Sequence, residues 1–501
     1  MRGGTLRVVV DPDPPTILTV DNSFGASQKV GPKIVEGLFA HDFQYGLKPQ
    51  LATSYSLTPD GLRYTFQLRK GVKWHDGADF TSADVAFSIS LLKELQTFGR
   101  MMFANLVETR TPDPHTVELV LSKPAPFLLR GLSAAVSPII PRHIYDDGTP
   151  FARHPRRDTP IGTGPFVFKE WVRGSHIILE RNPNYWDPGK PYLDRIIFRY
   201  IADAAARTAA IETGEVDIVP DNRIPLSEIE RLKALPHLQV SSLGYDYLGN
   251  HTQLELNLDN PVLQDLRVRQ ALAHAIDLKV LLNTVWYGYG QISPTPINPH
   301  MAPYHDPSIK PLPFDLKKAA ALLDEAGHKA DAKGRRFGLK IVHNPGVGDL
   351  RRVSDYVQQA LGKIGIEVTI QAQDFASYVK AVYTDRNFDL NAGTLANLFD
   401  PTVGVQRIYW SQNIKKGVAF SNGSHYSNPE VDRLLEAASV ATDDAERIRL
   451  FHAFQKIAVA DLPLINFIAV DQFTVANTKL RNFAIGAYGA SDTFADTYFQ
   501  S

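Results

Sequence analysis

The reading of this chain turns on Pro59-Asp60-Gly61-Leu62-Arg63-Tyr64-Thr65-Phe66-Gln67-Leu68-Arg69-Lys70-Gly71-Val72-Lys73-Trp74-His75-Asp76-Gly77 and its continuation, Phe80-Thr81-Ser82-Ala83-Asp84-Val85. Pro59-Asp60-Gly61 is a turn, because proline sets φ and glycine accepts positive φ. Tyr64, Phe66 and Leu68 then alternate with Thr65, Gln67 and Arg69, the period of a half-buried strand. Thr81 and Asp84 have the spacing of a capping box, with Asp84 reaching back to the free N–H groups of a helix start. Val85, Ile89 and Leu92 share one face of that helix.

The same arguments extend along the chain. Leu6 to Val10 is a short buried strand, stopped by Asp11-Pro12-Asp13-Pro14-Pro15, which cannot continue a ladder. Residues 112–180 return to short strands and Pro-rich turns, with Gly162-Thr163-Gly164-Pro165 a tight corner before a strand that opens at Phe166. Asp203 to Glu212 is an Ala-rich helix closed by Gly214 and followed by a strand, Val216 to Val219. The second half is more helical. Arg267 to Trp286 reads as one long helix ending near Gly288. Leu316, Ala319, Ala320 and Leu323 make a helical stripe closed by Gly327. Ile366, Val368 and Ile370 alternate as a strand after a helix that ends near Lys363. Asn428-Pro429 is an N-cap followed by proline at the first helical position, and Asp443 and Glu446 open another helix. The class is α/β with mixed sheets, in more than one lobe.

Length and composition bound the answer. The chain has 501 residues, beyond the size at which one core keeps growing, so two or three domains are expected. Hydrophobic residues are 44% and charged residues 21%, the balance of a folded chain. Lys+Arg is 53 against Asp+Glu 54, so no basic excess favours nucleic acid. With no cysteine, a disulfide scaffold, a Cys-ligated metal and a thiol nucleophile are excluded. The longest apolar-rich stretch, Leu462 to Val470, is too short to span a bilayer as a helix. No signal peptide precedes the first strand, which leaves a cytoplasmic protein or one whose leader has been removed.

Catalytic signatures are scarce. There is no His-Glu-x-x-His and no P-loop. Gly288-Tyr289-Gly290 lacks the preceding strand of a dinucleotide site and is read as a helix-ending turn. Ala419-Phe420-Ser421-Asn422-Gly423 departs from the nucleophile elbow at its first position, and Ser377-Tyr378-Val379-Lys380 is a common short pattern. Trp74-His75-Asp76-Gly77 brings a His beside a carboxylate, but a metal site needs more converging ligands, and a polar turn is the plainer reading.

In order along the chain stand the two stretches quoted first, then Gly162-Thr163-Gly164-Pro165-Phe166, Asn182-Pro183-Asn184-Tyr185-Trp186 and Gly214-Glu215-Val216-Asp217. Val268-Arg269-Gln270-Ala271-Leu272 follows, with Ala275-Ile276-Asp277, then Ala320 to Gly327, Tyr426-Ser427-Asn428-Pro429-Glu430-Val431-Asp432 and Asp461-Leu462-Pro463. Each block is weak alone. Their joint order resembles the family 5 extracellular solute-binding proteins, which are the binding components of ABC importers for dipeptides, oligopeptides, nickel chelates and some oligosaccharides.

The resemblance implies a two-lobed periplasmic-binding-protein fold, type II and cluster C-like, with an extra β-rich domain inserted in the first lobe. Residues 1–35, 162–250 and 476–501 would form lobe I, residues 36–161 the insertion and residues 251–475 lobe II. It implies capture of a peptide or peptide-like solute in a cleft by hinge closure, delivery to an ABC permease in the inner membrane, no catalysis, no cofactor or metal, no nucleic acid, and a monomeric, lipid-free periplasmic protein. Trp74-His75-Asp76-Gly77 would be scaffold. Peptide binders of this kind pair the solute's ammonium with an acidic residue four positions before the proline of an Asp/Glu-Pro pair. Here that pair is Asp400-Pro401, and the position holds Asn397, a neutral partner suited to hydroxyls and amides. Asp400 becomes the alternative ammonium partner. Arg407 is expected as a carboxylate anchor, Tyr378, Tyr409 and Trp410 as aromatic contacts, and Asp13 and Phe24 as contacts from the first lobe. The neutral Asn397 also raises an oligosaccharide or opine-like conjugate as the alternative solute. A hydrolase on the same scaffold is the alternative of another class.

Overall fold

The computed structural model describes residues 3–247, 249–346 and 349–500. The chain divides into two units: residues 1–247 with 472–501, and residues 248–471.

In the first unit the apolar run after Gly4 forms the strand Thr5–Val10 at the centre of a seven-stranded sheet. It lies parallel to Arg195–Tyr200 on one side and to Ile218–Val219 on the other. His176–Arg181 and Phe166–Val172 extend the sheet beyond Arg195–Tyr200. Thr474–Asn477 and Leu238–Ser241 extend it beyond Ile218–Val219, so the C-terminal segment completes a sheet begun at the N-terminus. Leu6, Val8 and Val10 pack with Phe166, Ile177, Ile196, Phe198 and Ile218 in one core. A separate antiparallel sheet, in the order Ala52–Leu57, Arg63–Leu68, Thr116–Leu121, Leu106–Asp113, contains the alternating stretch Tyr64 to Leu68. Tyr64, Phe66 and Leu68 are buried, as the period requires. The capping box holds: the Thr81 N–H donates to Asp84 Oδ2 at 2.8 Å, opening the helix Ser82–Leu95.

Several of the quoted motifs converge on one buried acid. Glu36, fully buried, accepts hydrogen bonds from Thr163 Oγ1 (2.9 Å), Tyr185 Oη (2.8 Å) and Trp186 Nε1 (2.8 Å). The Arg69 guanidinium stacks over the Trp186 ring at 4.0 Å. His75 closes the same corner. Its Nδ1 accepts the Gly162 N–H at 3.2 Å and its Nε2 lies 3.0 Å from the Gly164 carbonyl. A carbonyl can only accept, so the proton sits on Nε2. Burial pushes the imidazole down to about 4 and keeps it neutral. Asn182 Nδ2 donates to the same Gly164 carbonyl at 3.0 Å. Glycine is required at 162 and 164 because a Cβ at either would run into the Ile34 carbonyl. His75 is thus a scaffold bracket in a local hydrogen-bond set.

The second unit is built on a six-stranded sheet in the order Gly290–Ile292, Leu464–Val470, Asn250–Leu256, Leu390–Ala396, Phe337–His343, Ile366–Ala372. Every residue of Leu464–Val470 is buried, and all but Asn466 are apolar. The helices Pro429–Val440 and Asp444–Asp461 start at Asn428 and Asp443, whose side chains accept backbone N–H groups as expected. One expectation is corrected. Residues 267–286 are not one helix but two, Leu266–Ala275 and Leu278–Trp286. Ile276 is extended, and Asp277 caps the second helix by accepting the N–H groups of Lys279 and Val280. The apolar period runs on through the break, so periodicity alone does not reveal it. Among the described residues, no helix is long and apolar enough to cross a membrane.

Candidate functional site

The centre of the second unit's sheet combines an unpaired strand edge with polar side chains. Asn250–Leu256 and Leu390–Ala396 pair antiparallel along their whole length. On the other side, Phe337–His343 meets Leu390–Ala396 only at Leu390 and Asn391. From Ala392 to Ala396 that edge has no strand neighbour among the described residues, and only the Ala396 carbonyl on it is taken by a side chain, that of Arg407.

One face of these strands is polar where a sheet core is normally apolar. Glu255 stands opposite Asn391, and Gln253 opposite Gly393 and beside Asn466. The Asn391 amide donates to Glu255 Oε2 at 2.8 Å. Burial raises the Glu255 carboxyl, partly offset by Asn391 and the Arg386 charge. The opposite face carries Thr252 and Thr394, whose hydroxyls meet at 3.4 Å.

Aromatic groups cover the polar face. Asp374 caps the helix Phe375–Val379, which runs into a single π-helical turn, Lys380–Thr384. Such turns displace side chains from the α-helical rows and recur at functional sites. Here Tyr378 and Tyr383 are both buried, their rings edge-on at 6.3 Å, with the Tyr378 hydroxyl against the Asn391 amide. The short helix Gln406–Tyr409 supplies Arg407 and Tyr409. Asn466 Nδ2 donates to the Tyr409 hydroxyl at 3.4 Å. Arg407 Nε donates to the Gly404 carbonyl (3.1 Å) and Nη2 to that of Ala396 (3.3 Å), and burial pushes the guanidinium down to about 10.

The sequence candidates separate in the fold. Tyr378, Arg407 and Tyr409 gather around the Leu390–Ala396 strand. Asn397, at its end, is buried as a brace: its Oδ1 accepts the Asn298 N–H at 2.6 Å. Asp400 is not presented outward as an ammonium partner. Its two oxygens take Arg447 Nη2 (2.6 Å) and Nη1 (2.9 Å), it caps the turn at Thr402, and both members of the pair are buried. Trp410 turns away, its indole N–H donating to Glu436 at 2.8 Å. In the first unit, Asp13 accepts from the Gly174 N–H (2.9 Å) and Trp171 Nε1 (3.3 Å), and Phe24 is 51% exposed. The sequence reading missed Gln253, Glu255, Asn391 and Tyr383. The available signal was Thr252-Gln253-Leu254-Glu255-Leu256, a strand with polar residues in alternate positions yet wholly buried.

Comparison with known proteins agrees with this architecture. The profile of the bacterial extracellular solute-binding proteins, family 5 Middle, matches residues 46–416. The glutathione-binding protein GsiB of Escherichia coli (strain K12) is 30% identical over 475 residues, covering 90% of this chain and 86% of its own. Among solved structures, the oligopeptide-binding protein AppA of Bacillus subtilis, in complex with a nonapeptide, superposes with a TM-score of 0.85 at 25% identity and covers 100% of both chains. The binding protein AgaA of A. tumefaciens R10, in complex with agropinic acid, gives 0.83 at 25% identity, covering 99% of each chain. The match along most of the chain, on a fold these structures share, places this protein in family 5 of the bacterial extracellular solute-binding proteins.

Proposed function

We propose that this protein captures a peptide-like solute on the unpaired edge of Leu390–Ala396 and delivers it unchanged to an ABC permease. The observation that carries the reading is that edge. A peptide laid beside Ala392 to Ala396 gains main-chain hydrogen bonds as an added strand, while alternate side chains enter neighbouring pockets. The family supports the role, and GsiB and AppA, named for glutathione and oligopeptide binding, support the solute class. Tyr378, Arg407 and Tyr409 are the contacts we assign from the second unit. Residues 36–161, which hold the four-stranded sheet, act in this reading as an additional domain of the first lobe. The protein works as a monomer outside the cytoplasmic membrane and makes or breaks no bond.

One observation favours a second reading. Asn397 is neutral and Asp400 is held by Arg447, so the end of the strand offers no outward carboxylate to a free ammonium. An opine-like conjugate of the kind AgaA holds suits such a site. The test is thermal denaturation with di- to pentapeptides, glutathione and agropinic acid, followed by mass analysis of the recovered solute. A peptide at one hundred times its Kd stabilises by about 2.7 kcal/mol and is recovered intact. Stabilisation by agropinic acid alone selects the second reading, and fragmentation of the peptide overturns both.

A further inference from the structure

Gly393 sits in a strand interior with no structural reason to be glycine. Its φ lies outside the left-handed region, and a Cβ built on it meets nothing within 4 Å. Glycine weakens a strand, and where it persists another group commonly approaches the backbone. What it provides here is open space above the sheet.

Directly across the ladder stands Gln253, 7% exposed. Among the described residues its side-chain amide makes no hydrogen bond. Its polar atoms are also absent from the sealed, unpaired set that includes Asn391 Oδ1 and Asn466 Oδ1 on the same face. The Gln253 amide therefore faces the accessible part of the recess. A largely buried amide without a partner is destabilising, so a polar group that arrives in the recess is held there.

We propose that Gln253 reads an amide group of the bound solute in the recess above Gly393 and is a specificity-determining residue of this site, an inference that rests on the peptide-type reading above. A carboxamide offers one acceptor and one donor side by side, and its complement is a second amide, either a peptide linkage or a carboxamide end. A carboxylate would set oxygen against Oε1, and Glu255 on the same face adds to that penalty. An ammonium would set hydrogen against Nε2, with the Arg407 guanidinium held nearby at Ala396. Tyr378 lies against Asn391, and Tyr409 accepts a hydrogen bond from Asn466, the two amides that share this face.

The test uses the full chain and a casein-digest peptide mixture spiked with glutathione, with captured species identified and quantified by mass spectrometry. Wild type, Gln253→Leu, Gln253→Glu and Gly393→Ala are compared, with Tm as the fold control. We expect Gln253→Leu to lower captured peptide about 10- to 100-fold and Gln253→Glu to shift capture toward species with amino or guanidino groups. Gly393→Ala, which clashes with nothing, should keep or raise Tm while capture falls. For the best-captured peptide, an analogue with ester in place of each amide in turn should lose affinity at one position in wild type and at none in Gln253→Leu. Undiminished capture by Gln253→Leu and Gly393→Ala overturns the inference and leaves peptide binding standing. No capture by wild type overturns both.

Discussion

Two buried carboxylates, one in each unit, are stabilised by opposite means. Glu36 in the first unit is surrounded by the neutral donors of Thr163, Tyr185 and Trp186, and burial raises it to about 7. Asp400 in the second unit is clamped by the Arg447 guanidinium through two hydrogen bonds. Neutral donors satisfy an acid's lone pairs without cancelling its charge, so the group answers burial by keeping its proton. A cation cancels the charge and fixes the ionised form, at the risk of a stranded ion if the partner is lost. The first arrangement makes stability depend on pH. The second makes it depend on one pair.

The largest expected effect comes from breaking that pair. Arg447→Met removes the cation that holds Asp400 in the core, for a loss of ~3–5 kcal/mol. Denaturant titration at pH 7 measures it, and Asp400→Leu added to Arg447→Met should recover most of it. A single variant as stable as wild type would remove the contrast between the units.

Glu36→Gln comes next. The Glu36 carboxyl lies at about 7 in the fold against 4.5 unperturbed. Between these values the folded chain holds a proton that the unfolded chain has released. The contribution is therefore fully present below 4.5 and is lost as pH rises through about 7, by ~3 kcal/mol at most at ~1.4 kcal/mol per unit. Glu36→Gln cannot ionise, so its stability curve from pH 4.5 to 8 should be flatter than that of wild type. Parallel curves would show that Glu36 is ionised in the fold.

The smallest effect tests whether the partners or the units set the behaviour. Glu255 lies in the second unit but is held by the Asn391 amide, and burial raises it as it raises Glu36. Glu255→Gln should also flatten the pH curve, because burial raises this carboxyl against the opposing Asn391 bond and Arg386 charge. No change in slope would tie pH dependence to the first unit alone.

Much of the fold was legible because its signals are local. The Thr81–Asp84 capping box, the Asn428-Pro429 helix start and the alternation of Tyr64, Phe66 and Leu68 each sit within a few residues and appear as read. The break at Asp277 was not legible, since a capping aspartate and a helix-surface aspartate look alike while the apolar stripe continues. The site was less legible still. Asp400 and Arg447 are 47 residues apart, and only folding brings them together. The pairing of Gln253 with Gly393 is a matter of strand register between distant segments. The aromatic residues near them were found, but the polar floor beneath was not.

The cluster around Glu36 has a practical consequence. The polar atoms of Thr163, Tyr185 and Trp186 are directed at Glu36, and those of His75 at the backbone of Gly162 and Gly164, so these positions report the chassis and not the cargo. Retargeting the protein to a new cargo would then mean exchanging the residues assigned to the solute, Gln253, Tyr378, Gly393 and Arg407, and leaving the chassis untouched. A library confined to those positions should yield folded binders at a high rate. One spread over the quoted motifs would mostly yield chains that fail to assemble.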